Sequence, residues 1–154
     1  MKCYFYGSTL NSDSFSSQTG TVSFAIPDIG VIFRSRWVGS QLECQYAALL
    51  SLLRFIETNK KLFKNKKIEI LSDSSVVVYQ LTKDTFIFKK IEPYYRLVQT
   101  YKSKFSFKVH WLPENDNPAF NGLTDTPPLN PSIKINYDIK DDKDINRHGG
   151  VLPM

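Results

Sequence analysis

An α/β fold built on a mixed five-stranded sheet is predicted for this chain, and three features of its sequence predict it. Three runs of alternating, β-branched and aromatic-rich residues open the chain, at 2–7, 21–26 and 31–38, separated by turn-forming residues. A long amphipathic helical pattern follows at 41–58. Beyond it, apolar runs at 68–71 and 105–112 are separated by helical segments. Hairpin-linked strands pair antiparallel and helix-linked strands pair parallel, so this order gives three antiparallel strands, then helix-linked ones, with helices packed on the sheet.

Each element has a local cause. Residues 2–7 alternate and are aromatic, as a strand with one buried face requires. Residues 11–20 cluster Ser, Asn and Gly and read as a loop. Pro27-Asp28-Ile29-Gly30 joins the second and third strands, because proline presets φ and glycine tolerates a positive one. In the helix at 41–58, Ser40 is the natural N-cap, and Leu42, Tyr46, Leu49, Leu53 and Ile56 fall on one face. The lysine-rich stretch 60–67 reads as a turn into the strand at 68–71. Asp73, Ser74 and Ser75 then offer caps for a helix over 76–81. Three consecutive valines favour a strand there, yet a second strand would need a turn, and Ser72-Asp73-Ser74-Ser75 looks like a cap. Pro93 fits the first turn of a helix over 94–101, where its missing N–H costs nothing.

Composition bounds the function classes. A chain of 154 residues with 42% hydrophobic and 14% aromatic content is globular and large enough for a substantial core. No apolar run approaches the roughly 18 residues needed to span a bilayer, so no membrane partner is expected. No secretory leader is read, and an intracellular site, cytoplasmic or organellar, is expected. Cys3 and Cys44 are too few for a disulfide framework or a zinc site and read as free thiols. Residues 1–123 hold 16 Lys and Arg against 10 Asp and Glu, a balance of +6, whereas residues 124–154 hold four against five. The basic character thus belongs to the globular part, where it suits phosphate as well as solvent.

Residues 1–123 read as the domain and 124–154 as an extended polar C-terminal arm. Pro127, Pro128 and Pro131, with few large apolar groups, cannot build a core that offsets the entropy of ordering. The arm is expected to lie on a protein partner, anchored by Leu129, Ile133, Ile135, Tyr137 and Leu152.

Two segments carry a resemblance. Leu42-Glu43-Cys44-Gln45-Tyr46-Ala47-Ala48 sets a glutamate early in a helix, and Ile68-Glu69-Ile70-Leu71-Ser72-Asp73-Ser74-Ser75 sets an aspartate at a strand end. With the element order, this resembles the ribonuclease H family over residues 2 to 123. The resemblance implies four metal-binding carboxylates, with Glu43 and Asp73 at two of the positions. The family's first strand ends Asp-Gly-Ser, and here it reads Tyr6-Gly7-Ser8. Its last carboxylate follows an alanine in a pattern like Asn-x-x-Ala-Asp-x-Leu, and here Phe120 follows Ala119. Glu43 and Asp73 are therefore read as vestigial, with Tyr6 and Phe120 at the replaced positions. Asp116 or Asp125 would substitute under a shifted register, while Asp13 falls in a loop rather than at mid-sheet. A phenol is neutral near pH 7 and phenylalanine cannot ligate. No metal is expected; magnesium or manganese, on Glu43 and Asp73 if anywhere, enters only if the chain is a nuclease.

Lys60, Lys61, Lys64, Lys66, Lys67, Lys89 and Lys90 are the candidate nucleic-acid-binding cations, interleaved with aromatic residues. RNA or an RNA–DNA hybrid is the partner this implies. Three functions follow from the resemblance and the charge. The first is a catalytically impaired ribonuclease-H-like binding or structural subunit of a nucleoprotein assembly, for example a ribosome-like particle. The second is a divergent metal-dependent nuclease cleaving the RNA of RNA–DNA hybrids. The third is a protein–protein scaffold without nucleic acid.

Overall fold

The computed structural model describes residues 1–10, 17–86 and 88–123. Asp13, Asp125 and the whole arm at 124–154 lie outside the described residues.

Five strands form the sheet, in the order β3-β2-β1-β4-β5. They are β1 (Lys2–Thr9), β2 (Gln18–Ile26), β3 (Val31–Gly39), β4 (Glu69–Ser72) and β5 (Lys108–Trp111). β1 and β3 both pair antiparallel with β2, and β4 pairs parallel with β1 and β5. The helices are α1 (Gln41–Thr58), α2 (Lys60–Phe63), α3 (Ser75–Thr82), α4 (Glu92–Lys104) and α5 (Pro118–Asn121). The predicted mixed α/β sheet is the observed one. No described helix is long and apolar enough to cross a membrane.

α1 is the spine of the domain. It starts in a capping box: Glu43 N donates to Ser40 Oγ at 3.2 Å, and Ser40 N donates to Glu43 Oε1 at 3.0 Å. The predicted face of Leu42, Tyr46, Leu49, Leu53 and Ile56 is buried, but so are Ala47, Ala48, Leu50, Leu52 and Phe55. One stripe underestimates the helix because it lies on β1 and β2 while α4 covers its other side. Contact with β1 is close because β1 presents Gly7 there, where an added Cβ would fall 2.5 Å from the Cys44 carbonyl carbon and from Gln45 N.

Several predicted boundaries move, each for a physical reason. β2 begins at Gln18, inside the segment read as loop, because its ladder with β3 runs on to Gly39. The lysine-rich stretch is not all turn: Lys60–Phe63 makes one helical turn because Phe63 is buried edge-on against Phe55, with ring centroids 6.5 Å apart. β5 is shorter than 105–112. Phe105 instead ends α4, its N–H donating to Tyr101 O at 3.2 Å, and its ring packs between Tyr101 and Phe107. The helix after Asp73 does form despite its valines, since Ser74 Oγ accepts from Val77 N at 3.3 Å.

Cys3 and Cys44 are free and buried, and burial pushes both thiols up to about 12. A folded-state pKa above the unfolded value stabilises fully at lower pH and loses that contribution as pH rises. Stability should therefore hold to about pH 8 and fall between pH 9 and 12. Each thiol contributes a slope of about 1.4 kcal/mol per pH unit in that window. Urea midpoints across that range check it, and Cys3→Ser with Cys44→Ala should flatten the fall.

Candidate functional site

The carboxyl ends of β1 and β4 meet at one edge. Their parallel register pairs Lys2 with Glu69, Cys3 with Ile70 and Tyr4 with Leu71. Two residues further along, the chain reaches Tyr6 on one side and Asp73 on the other. The N-terminal part of α1 reaches the same region, because Ser74 Oγ donates to Gln45 Oε1 at 2.7 Å.

Tyr6 and Phe120 are in ring contact, with centroids 4.8 Å apart and planes tilted by 41°. The Tyr6 phenol is half-buried there, and burial raises its pKa. α5 holds Phe120 in place through three anchors. Asn117, fully buried, caps it by accepting from Ala119 N at 3.0 Å. Ser23 Oγ donates to Ala119 O at 2.7 Å, and an Arg34 guanidinium nitrogen donates to Phe120 O at 2.8 Å. Asn117 also ties the edge together, since its Nδ2 donates to Asp73 Oδ1 at 2.7 Å and to Phe5 O at 2.9 Å. Trp111 Nε1 donates to the Asp73 backbone carbonyl at 3.2 Å.

Glu43 is enclosed separately, with 3% of its surface exposed. Its Oε1 accepts from Ser40 N and lies 3.5 Å from Lys90 Nζ, and its Oε2 accepts from Tyr94 OH at 3.0 Å. The Tyr94 phenol is held well above its ordinary range by burial first and the Glu43 charge second. Glu43 and Asp73 share no hydrogen-bond partner among the described residues.

Two-metal hydrolysis needs several carboxylates converging on two divalent ions. The described residues do not fit that requirement. No cluster of three or more His, Cys, Asp or Glu side chains able to hold a metal occurs among them. Glu43 already answers three donors, and Asp73 turns one oxygen to Asn117. Asp116 is exposed in the 3-10 turn Glu114–Asp116. Aligning on Asn117 and Leu123 instead of Ala119 would put Asn121 at the last carboxylate's place, and its Nδ2 donates to Asn115 O. Neither register supplies an acid.

The seven lysines fall into two groups. Lys60, Lys61, Lys64, Lys66 and Lys67 are exposed beyond the C-terminal end of α1. That is about 25 Å along an 18-residue helix from Glu43. Lys89 and Lys90 are exposed at the Glu43 end. The reading from sequence missed the roles of Asn117 and Tyr94. Of these only Asn117 left a signal, a cap residue directly before Pro118.

No protein-family model matches the sequence, and no curated protein matches it. Solved structures do. An RNase H1 isolated from compost by a metagenomic approach, LC11-RNase H1, superposes with a TM-score of 0.67 at 12% identity, over 78% of this chain and 89% of that one. The RNase H1 of the halophilic archaeon Halobacterium salinarum superposes with a TM-score of 0.60 at 19% identity, over 79% of this chain and 92% of that one. The chain has the ribonuclease H fold. The same LC11-RNase H1 in complex with an RNA/DNA hybrid superposes with a TM-score of 0.62 at 13% identity, over 75% and 87%. Within the ribonuclease H fold, the Tyr6–Phe120 contact stands at the edge where β1, β4 and the N-terminal part of α1 converge.

Proposed function

We propose that this chain is a nucleic-acid-binding module with the ribonuclease H fold, in which packing has replaced the hydrolytic centre, and that it serves within a nucleoprotein assembly. One observation carries the proposal: the Tyr6–Phe120 ring contact at 4.8 Å, between two positions that the sequence resemblance assigns to carboxylates. An aromatic pair cannot offset the charge of two divalent ions. The enclosure of Glu43 by Ser40, Lys90 and Tyr94 supports the same reading. Binding is supported by the fold shared with LC11-RNase H1, whose complex holds an RNA/DNA hybrid, and by the exposed lysines. RNA or an RNA–DNA hybrid is the nucleic acid proposed, and a protein surface receives the arm at 124–154. No metal cofactor belongs to this function; magnesium or manganese belongs to the nuclease alternative, with Asp116 or Asp125 completing the site.

A labelled RNA–DNA hybrid decides between them. Incubation with magnesium or manganese should leave it intact. Fluorescence anisotropy should report binding that weakens steeply between about 50 and 200 mM salt, as counterion release requires. Turnover that disappears in Asp73→Asn would establish the nuclease instead. Salt-independent retention of partner proteins with no hybrid binding would favour the scaffold.

A further inference from the structure

The Tyr6–Phe120 contact and the Arg34 anchor of α5 form one side of a cavity of about 380 Å³ whose other side is Ser8, Thr19 and Thr21. It opens on the sheet face opposite α1. Gly7 and Gly20 turn their Cβ positions toward α1, so their strand neighbours Tyr6, Ser8, Thr19 and Thr21 face the other way. Cross-strand pairing sets Ser8 against Thr21 and Ser23 against Arg34, which puts hydroxyls and a guanidinium on neighbouring rungs.

The chemistry of this lining is specific. Arg34 directs one nitrogen to the Phe120 and Ala119 carbonyls, at 2.8 and 3.5 Å. A guanidinium carries five N–H donors, so others remain for a ligand. Arg34 forms no ion pair with a carboxylate among the described residues. Phe120 leaves 39% of its surface exposed at the rim, held there by the anchors on α5. Such a site matches a planar ring that carries an anion. A bare anion would leave the aromatic surface unused, and an apolar ligand would strip water from the guanidinium without replacing it.

We propose that this cavity binds one unpaired nucleotide, its base against the Phe120 ring and its phosphate on Arg34 and the Thr21 hydroxyl. The proposal rests on the nucleic-acid reading above and deepens it, naming a single-stranded end as the form bound here. Stacking on aromatic side chains tolerates any base, so little sequence preference is expected.

Titration of the ¹⁵N-labelled full chain with adenosine 5′-monophosphate, adenosine or inorganic phosphate tests it, followed at the Gly20 and Thr21 amides. The monophosphate should shift both saturably and bind at least about tenfold more tightly than either fragment. Phe120→Leu should weaken it on the order of tenfold, the loss of one base stack. Thr21→Val should weaken it by a few fold without touching the anchors on α5, and melting curves verify that both variants are folded. Equal shifts with inorganic phosphate alone would make this a plain anion site and overturn the proposal, as would unmoved amides. Hybrid binding that persists while the amides stay unmoved overturns the pocket alone. Saturable monophosphate binding by a chain that fails to bind the hybrid upholds the pocket and overturns the broader reading.

Discussion

Gly7→Ala should lower the stability of this domain by about 3 kcal/mol or more, the top of the range for an overpacked core. The new methyl would fall 2.5 Å from the carbonyl carbon and oxygen of Cys44 and from Gln45 N. These are backbone atoms of a buried helix and cannot rotate aside as a side-chain tip does. α1 would have to back away from β1 along its length, loosening the contacts of Cys44, Ala48 and Leu49 with the sheet. Gly39→Ala is the control, since its Cβ would lie 3.1 Å from the Glu43 Cβ and 3.2 Å from Trp37 Nε1, a much milder overlap than 2.5 Å. Its loss should be smaller. Domains of this kind are stable by only about 5–15 kcal/mol, so Gly7→Ala should lower the melting temperature by about 10 °C. A change within about 2 °C would mean that α1 does not cross β1 as described.

The site was legible in the sequence where local rules carry it. Ser40 with Glu43 is a capping box readable three residues apart, and Pro27 through Gly30 is a turn readable from two residues. Alternation placed β1 and β3, and the valines after Asp73 were overruled by the serine cap ahead of them. What was not legible depends on contacts between distant segments. Asn117 joins Phe5 and Asp73, residues 112 and 44 positions away, and nothing in its neighbourhood announces those partners. Lys90 and Tyr94 close over Glu43 from some way along the chain, Tyr94 being 51 positions on, so nothing beside the glutamate announces them. The lysines are two runs in the sequence, at 60–67 and 89–90, and the fold sets them at opposite ends of the 18-residue α1.

Glu43→Ala supplies the sharpest distinction between a working carboxylate and a retained one. In a metal site without its ions, neighbouring carboxylates repel, and deleting one relieves that repulsion and stabilises the fold. Glu43 faces the opposite situation. Its oxygens receive the Ser40 N–H and the Tyr94 hydroxyl, both at 3.0 Å, with the Lys90 ammonium at 3.5 Å. Alanine would remove one half of the capping box and leave the buried Tyr94 hydroxyl without an acceptor. The loss of a cap interaction and one unsatisfied buried donor together come to about 3 kcal/mol. Asp73→Ala should cost about 1 kcal/mol, because Asn117 Nδ2 keeps its bond to Phe5 O and the bond from Trp111 is to the Asp73 backbone. Urea denaturation of the two variants, without added metal, measures the contrast. A Glu43→Ala variant as stable as the parent, or more stable, would return Glu43 to the role of a metal ligand and with it the chain to hydrolysis. A large loss at Glu43 beside a small one at Asp73 is the pattern expected of a helix cap that has kept its glutamate for structure.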